Sequence, residues 1–138
     1  NPHANPELLI EAEKKRSFNI LRKYKKFQIF REDVLRYAKT AHFTLLVFGS
    51  YAKYRETPQS DLDILIIVPV QADIEKMEDT LAYIPTKVKK HLVIVEEKDF
   101  LDMLSKANQF NVGNEARKHH LILYGAEQYY ELIRRSSQ

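Results

Sequence analysis

The sequence predicts an α/β (α+β) domain whose centre is one mixed sheet of about four strands flanked by helices. Three observations predict it. Short β-branched and aromatic runs at Phe43–Phe48, Asp61–Val68, His91–Val95 and His120–Tyr124 read as strands. Apolar residues at three- and four-residue steps run through the segment that precedes the first strand. A length of 138 residues suits one compact domain with a real core.

Taken in order, Asn5-Pro6-Glu7 suits a helix start, because proline tolerates the first turn and an acidic side chain complements the N-terminal dipole. No glycine or proline interrupts Glu7 to Phe48, and Ile20, Tyr24, Phe27, Phe30, Val34, Tyr37 and Ala38 recur at helical spacing. Residues 1–40 are therefore expected as an N-terminal helical extension packed on a domain of residues 41–138. If the extension is two helices, Phe27–Phe30 is the expected break. The first strand ends at Gly49, and the polar stretch 51–60 with Pro58 is expected as loop, or short helix then loop. Pro69 stops the second strand. Helices are expected over Ala72–Ile84, Phe100–Lys106, Asn111–His119 and Ala126–Arg135, with Gly125 ending the last strand.

Composition narrows the function classes. With 44% hydrophobic and 30% charged residues the chain reads as an ordinary globular protein. No apolar run approaches the ~20 residues that cross a bilayer, and no leader pattern opens the chain, so the expectation is a cytoplasmic protein with no membrane partner. The absence of cysteine excludes disulfides and thiolate metal sites. The chain opens Asn1-Pro2-His3 without methionine, which leaves room for an upstream segment. Charge is uneven: residues 14–39 carry ten basic side chains against Glu32 and Asp33, a local +8 in a chain of net +3. Such a run is first of all a solvated helix face; the alternative is contact with nucleic acid or an acidic partner. Phe18, Tyr24, Phe27 and Phe30 are interleaved with it, but their helical spacing favours packing in the core or across a homodimer over stacking on bases.

The chemistry concentrates between residues 48 and 65. A buried strand delivers Gly49-Ser50 into a turn that should lead to a helix. Glycine lets backbone approach a ligand, N–H groups at a helix start attract phosphate, and the serine hydroxyl adds a hydrogen bond. After ten further residues, Asp61 and Asp63 stand two apart at the head of a strand, which puts both carboxylates on one face and Leu62 and Ile64 on the other. Two carboxylates pointing the same way repel unless a cation lies between them, and hard oxygen donors suit Mg²⁺ or Mn²⁺ shared with substrate phosphates. Either feature alone is common; the combination, flanked by strands, is specific.

This stretch, Phe48-Gly49-Ser50-Tyr51-Ala52-Lys53-Tyr54-Arg55 through Ser60-Asp61-Leu62-Asp63-Ile64-Leu65, resembles the DNA polymerase beta-like nucleotidyltransferase superfamily, in particular its minimal prokaryotic and archaeal members. The resemblance is specific over residues 45–67 and general over 43–104. Asn114–His120 and Gly125–Tyr130 also look like the tail of archaeal members. It implies a nucleotidyltransferase fold, with Mg-NTP (ATP first) as substrate and an NMP moved to a hydroxyl acceptor. The acceptor class stays open: an RNA end, a small molecule, or a partner protein such as the HEPN-type helical proteins that minimal members accompany. Asp61 and Asp63 take the metal-ligand and catalytic positions; Gly49 and Ser50, with Lys53 and Ser60 beside them, take the nucleotide-binding positions. The chain departs from the pattern twice. Tyr54 stands where many members have glycine, and His91 falls where active members place a third carboxylate, Glu96 being at the strand's far end. His91 is a poor Mg²⁺ ligand but a competent neutral base. An alternative is therefore a catalytically weak nucleotide-binding or partner-binding module; another is part of a longer regulator with an upstream DNA-binding domain.

The remaining candidates have plain structural readings. Lys53 and Arg55 are loop cations that reach a triphosphate or stay solvated. Ser60 binds phosphate or caps its turn. His119 and His120 point apart on any regular element, so packing or surface roles outrank shared metal ligation.

Overall fold

The computed structural model describes residues 5–57, 60–85 and 90–137. Asn1–Ala4 and Pro58 of the expected loop lie outside the described residues. The chain starts as its sequence dictates: the Asn5 side chain accepts from the Glu7 N–H at 2.9 Å, Pro6 occupies the first turn, and helix α1 runs Pro6–Lys23.

The helical extension is two helices, and the break falls at Tyr24, earlier than the expected Phe27–Phe30. Tyr24 leaves helical geometry at φ −123° and ψ 90°, and α2 continues over Lys25–Tyr37. The reason lies in the side chain. Its ring packs on Phe27 and edge-on against Tyr51, and its hydroxyl donates to Glu56 at 2.7 Å. Phe27 and Phe30, fully buried, are interior residues of α2.

The strands are β1 (Thr44–Phe48), β2 (Leu62–Val68), β3 (Lys90–Glu96) and β4 (Leu121–Tyr124), in the order β3-β2-β1-β4. β1 pairs antiparallel with β2 and β4, while β2 and β3 are parallel, joined through α3 (Gln71–Tyr83). The sheet is mixed, as expected. α4 (Glu97–Ser105), α5 (Val112–Lys118) and α6 (Ala126–Ser136) complete the chain. Helix α4 begins three residues before the expected Phe100, because Glu97 and Asp99 favour its first turn.

Both faces of the sheet are covered, which is why β2 is apolar almost throughout. Leu62, Ile64, Ile66 and Val68 pack with Phe27, Phe30 and Val34 of α2 and Met77 of α3. Leu65 and Ile67 face the other way, onto Phe100 and Leu104 of α4, Ala116 of α5, and Tyr129 and Leu132 of α6. Helix α1 lies along the outer edge of β4: Ile20 joins the first cluster, Ile10 packs against the second, and Ser17 Oγ donates to Ile122 O. Leu123 is an extra residue where the β1–β4 register shifts, and its freed carbonyl accepts from Arg31 Nε at 2.6 Å. The edge of β4 is thus capped by side chains from both N-terminal helices. Among the described residues no helix is long and apolar enough to cross a membrane.

Candidate functional site

The sheet register brings the singled-out residues to one end. Asp63 lies opposite Phe48 on β1 and opposite His91 on β3. Cross-strand partners share a face, and here it is the face of Leu65, Ile67, Val93 and Val95, under α4–α6. His91 Nδ1 stands 3.5 Å from Asp63 Oδ1. The imidazole is 65% exposed against 28% for the Asp63 side chain, so a second molecule can reach it while Asp63 sits deeper. Asp61, exposed, immediately precedes β2. Glu96 pairs with Val68 at the opposite end of the sheet and is buried.

Gly49 follows β1 at φ +72°, a left-handed conformation open to glycine. It also lies flat against the Asp63 carboxylate: a Cβ here would come within 2.9 Å of Asp63 Cγ. Strand end and carboxylate therefore meet with no side chain between them.

The stretch after Gly49 takes the loop alternative of the two expected for 51–60, not the helix expected directly after Gly49-Ser50. It closes as a single turn, and among the described residues no helix follows before β2: Lys53 N–H donates to Gly49 O at 3.1 Å and Arg55 N–H to Ser50 O at 2.8 Å. A phosphate here would meet the amides of one tight turn, without a macrodipole behind them. Ser50 is half-buried at its start. Lys53 turns its ammonium to Glu115 of α5, 3.5 Å away. Ser60 Oγ accepts from the Thr57 N–H at 2.8 Å, which is the turn-capping option of its two readings.

Tyr54 has φ +57°, the one non-glycine residue with positive φ among the described residues. The glycine that the resemblance expects here meets a real steric demand, which tyrosine satisfies at a strain of about 1–2 kcal/mol. Because its ring is largely exposed, Tyr54→Gly is expected to raise stability in urea unfolding, by about 0.5–1 kcal/mol after the larger entropy of unfolded glycine is discounted. Lower stability would mean that the ring contributes packing beyond what its exposure indicates.

One cluster had no sequence signal. Glu13 of α1 is fully buried; its Oε1 accepts from His120 Nε2 at 3.0 Å, from the Tyr130 hydroxyl at 3.0 Å and from Arg16. Burial pushes the Glu13 carboxyl up, but the His120 hydrogen bond, the charges of His120 and Arg16, and the Tyr130 bond together hold it below the ordinary value. His120 Nδ1 lies 2.7 Å from Ala116 O and Nε2 3.0 Å from Glu13 Oε1, so the ring is held between α5 and α1. His120 is thus a packed residue, while His119 is exposed. Glu13 and Ser17 occupy the buried stripe of α1 where apolar residues would normally stand, the only hint the sequence offered.

A mixed sheet that sets a Gly-Ser turn against a paired carboxylate strand defines a nucleotidyltransferase-type α+β domain. The family model described as "Nucleotidyltransferase domain" matches residues 28–119, more than half of the chain, and the chain belongs to that family. No curated protein and no solved structure matches it. The matched stretch begins inside α2 and ends before β4, so α1, β4 and α6 lie outside it.

Proposed function

We propose that this domain binds a nucleoside triphosphate, ATP first, with Mg²⁺ or Mn²⁺ at Asp61 and Asp63, and transfers its NMP to a hydroxyl acceptor. The observation that carries the reading is the meeting of Gly49, Asp63 and His91 at one end of one face. The donor set fits the metal: Mg²⁺ takes one or two protein carboxylates and fills its remaining positions from phosphates and water. The absence of a side chain at Gly49 lets the end of β1 lie in contact with the Asp63 carboxylate, so the turn starts beside that carboxylate. When bound, such an ion supplies Lewis-acid stabilisation of charge on the phosphates.

The chain's own residues supply the rest. Ser50 and the amides of the Gly49–Arg55 turn orient the phosphates. With Nδ1 turned towards Asp63, His91 keeps Nε2 for a proton. It takes that proton from the acceptor hydroxyl as the oxygen bonds to the α-phosphorus; the bond from that phosphorus to the bridging oxygen breaks, and pyrophosphate leaves with the electron pair.

The test separates binding from turnover. ATP·Mg²⁺ is expected to raise the Tm of wild type by mass action, and pyrophosphate release reports transfer. His91→Ala is expected to keep the Tm shift and to lower release about 10²-fold or more, with His91→Asp restoring it. Unchanged release from His91→Ala would remove His91 from the chemistry. A Tm shift with no release from wild type, and release gained in His91→Asp, would favour the binding-module reading, to which the histidine opposite Asp63 already lends support.

A further inference from the structure

Beside the Gly49–Tyr54 turn, on the side of α1, lies a cavity of about 360 Å³. Arg16, Lys53, Tyr54, Lys118 and His119 line it, with buried Glu13 at its wall. Arg16, Lys53 and Lys118 outnumber Glu13 and the Glu115 that pairs Lys53, which leaves the pocket a net positive charge. A larger cavity of about 520 Å³, between α1, α2 and the start of α6, sets Lys14, Arg22 and Arg31 against Glu32 and Glu127, a similar balance, but no residue of the Gly49–Tyr54 turn lines it.

We propose that the electropositive pocket holds a backbone phosphate of a polynucleotide acceptor. The proposal rests on the transferase reading for the word acceptor, and on three separate observations for the site. First, the cations come from distant parts of the chain, α1, the turn and the end of α5, and converge on one cavity. Second, Glu13 holds Arg16 in place, so that one cation is positioned before any ligand arrives. Third, Tyr54 presents a 68% exposed ring at the pocket from a strained backbone, the kind of local strain that persists at ligand contacts. A cation pocket beside an exposed aromatic suits a nucleotide chain, one phosphate in the pocket and the neighbouring base on the ring. Arg16 lies outside the stretch matched by the family, whereas Lys53, Tyr54, Lys118 and His119 lie within it.

The probe is a short fluorescent oligoadenylate, titrated by anisotropy without NTP or metal, with ATP·Mg²⁺ binding measured separately. Arg16→Ala/Lys118→Gln is expected to weaken oligoadenylate binding about tenfold or more and to flatten its salt dependence by about 0.7 in log–log slope, the value for the one single-strand phosphate that loses its cations. ATP·Mg²⁺ affinity is expected to stay within about twofold. Lys118 is exposed and, among the described residues, makes no ion pair, so Lys118→Gln alone gives a variant whose folding is not at issue; about half of the loss should appear in it. The proposal is overturned if wild type does not bind the oligonucleotide at low salt, if the variants bind it unchanged, or if ATP·Mg²⁺ weakens in parallel, which would assign the pocket to the triphosphate. Because oligonucleotide binding is read without nucleotide, a failure of the Asp61/Asp63 reading leaves this result separately interpretable.

Discussion

Replacing Asp61 and Asp63 together with alanine is expected to reduce NMP transfer by about 10³-fold or more and to abolish the Tm rise given by ATP·Mg²⁺. Metal-assisted stabilisation of a phosphoryl transition state is worth several kcal/mol, and each 1.4 kcal/mol is about a decade in rate. Folding should survive the change. Asp61 is exposed ahead of β2, and Asp63 is partly exposed near the strand's beginning, where removing a carboxylate takes an acceptor from His91 but no core atom. Circular dichroism and urea unfolding of the double variant provide the control. Pyrophosphate release equal to wild type from a well-folded double variant would dismiss the site altogether.

Glu13→Gln is expected to destabilise the fold by about 3–5 kcal/mol, the usual penalty when one partner of a buried charged cluster is removed. For a domain whose total stability is of order 5–15 kcal/mol, that brings unfolding close to working conditions. The neutral amide oxygen accepts more weakly than the carboxylate from His120, Tyr130 and Arg16, and the charge that offsets Arg16 is lost. Acid should expose the same cluster in wild type. The Glu13 carboxyl lies below its ordinary value of 4.5, so its contribution is complete above that pH and fades as pH falls through the lower folded value. Urea unfolding at neutral pH and at successively lower pH should show stability dropping below about pH 4.5 in wild type and a flatter acid limb in Glu13→Gln. Equal stability of the two at neutral pH would mean that solvent reaches the cluster.

Local and periodic features were legible in the sequence. The strands of β1 and β2 show as apolar runs cut by Gly49 and Pro69, and the start at Asn5-Pro6 is written in cap chemistry. The neighbourhood of Asp63 and His91 was reachable because both stand near strand beginnings, and parallel strands align beginnings with beginnings. What escaped depends on contacts across the chain. The break at Tyr24 is decided by Tyr51 and Glu56, which no pattern within the helix reveals. The stretch after Gly49 read as loop or as short helix then loop, and Tyr54 in the left-handed region decides between them by ending it after one turn. The ion pair of Lys53 with Glu115, more than sixty residues on, is likewise invisible in the local sequence.

The capping of β4 by α1 has a consequence for the order in which the protein is completed. The bonds from Glu13 to His120 and from Ser17 to Ile122 span 107 and 105 residues, nearly the whole chain. The β1–β2–β3 end that carries Gly49, Asp63 and His91 closes over much shorter loops, and short closures come early. During synthesis the carboxylate strand can therefore be in place while α1 still waits for β4 and α6 to emerge. Arg16 reaches its pocket only when both ends of the chain have met, so an unfinished chain has the Gly49, Asp63 and His91 end of the sheet without the cation that α1 contributes.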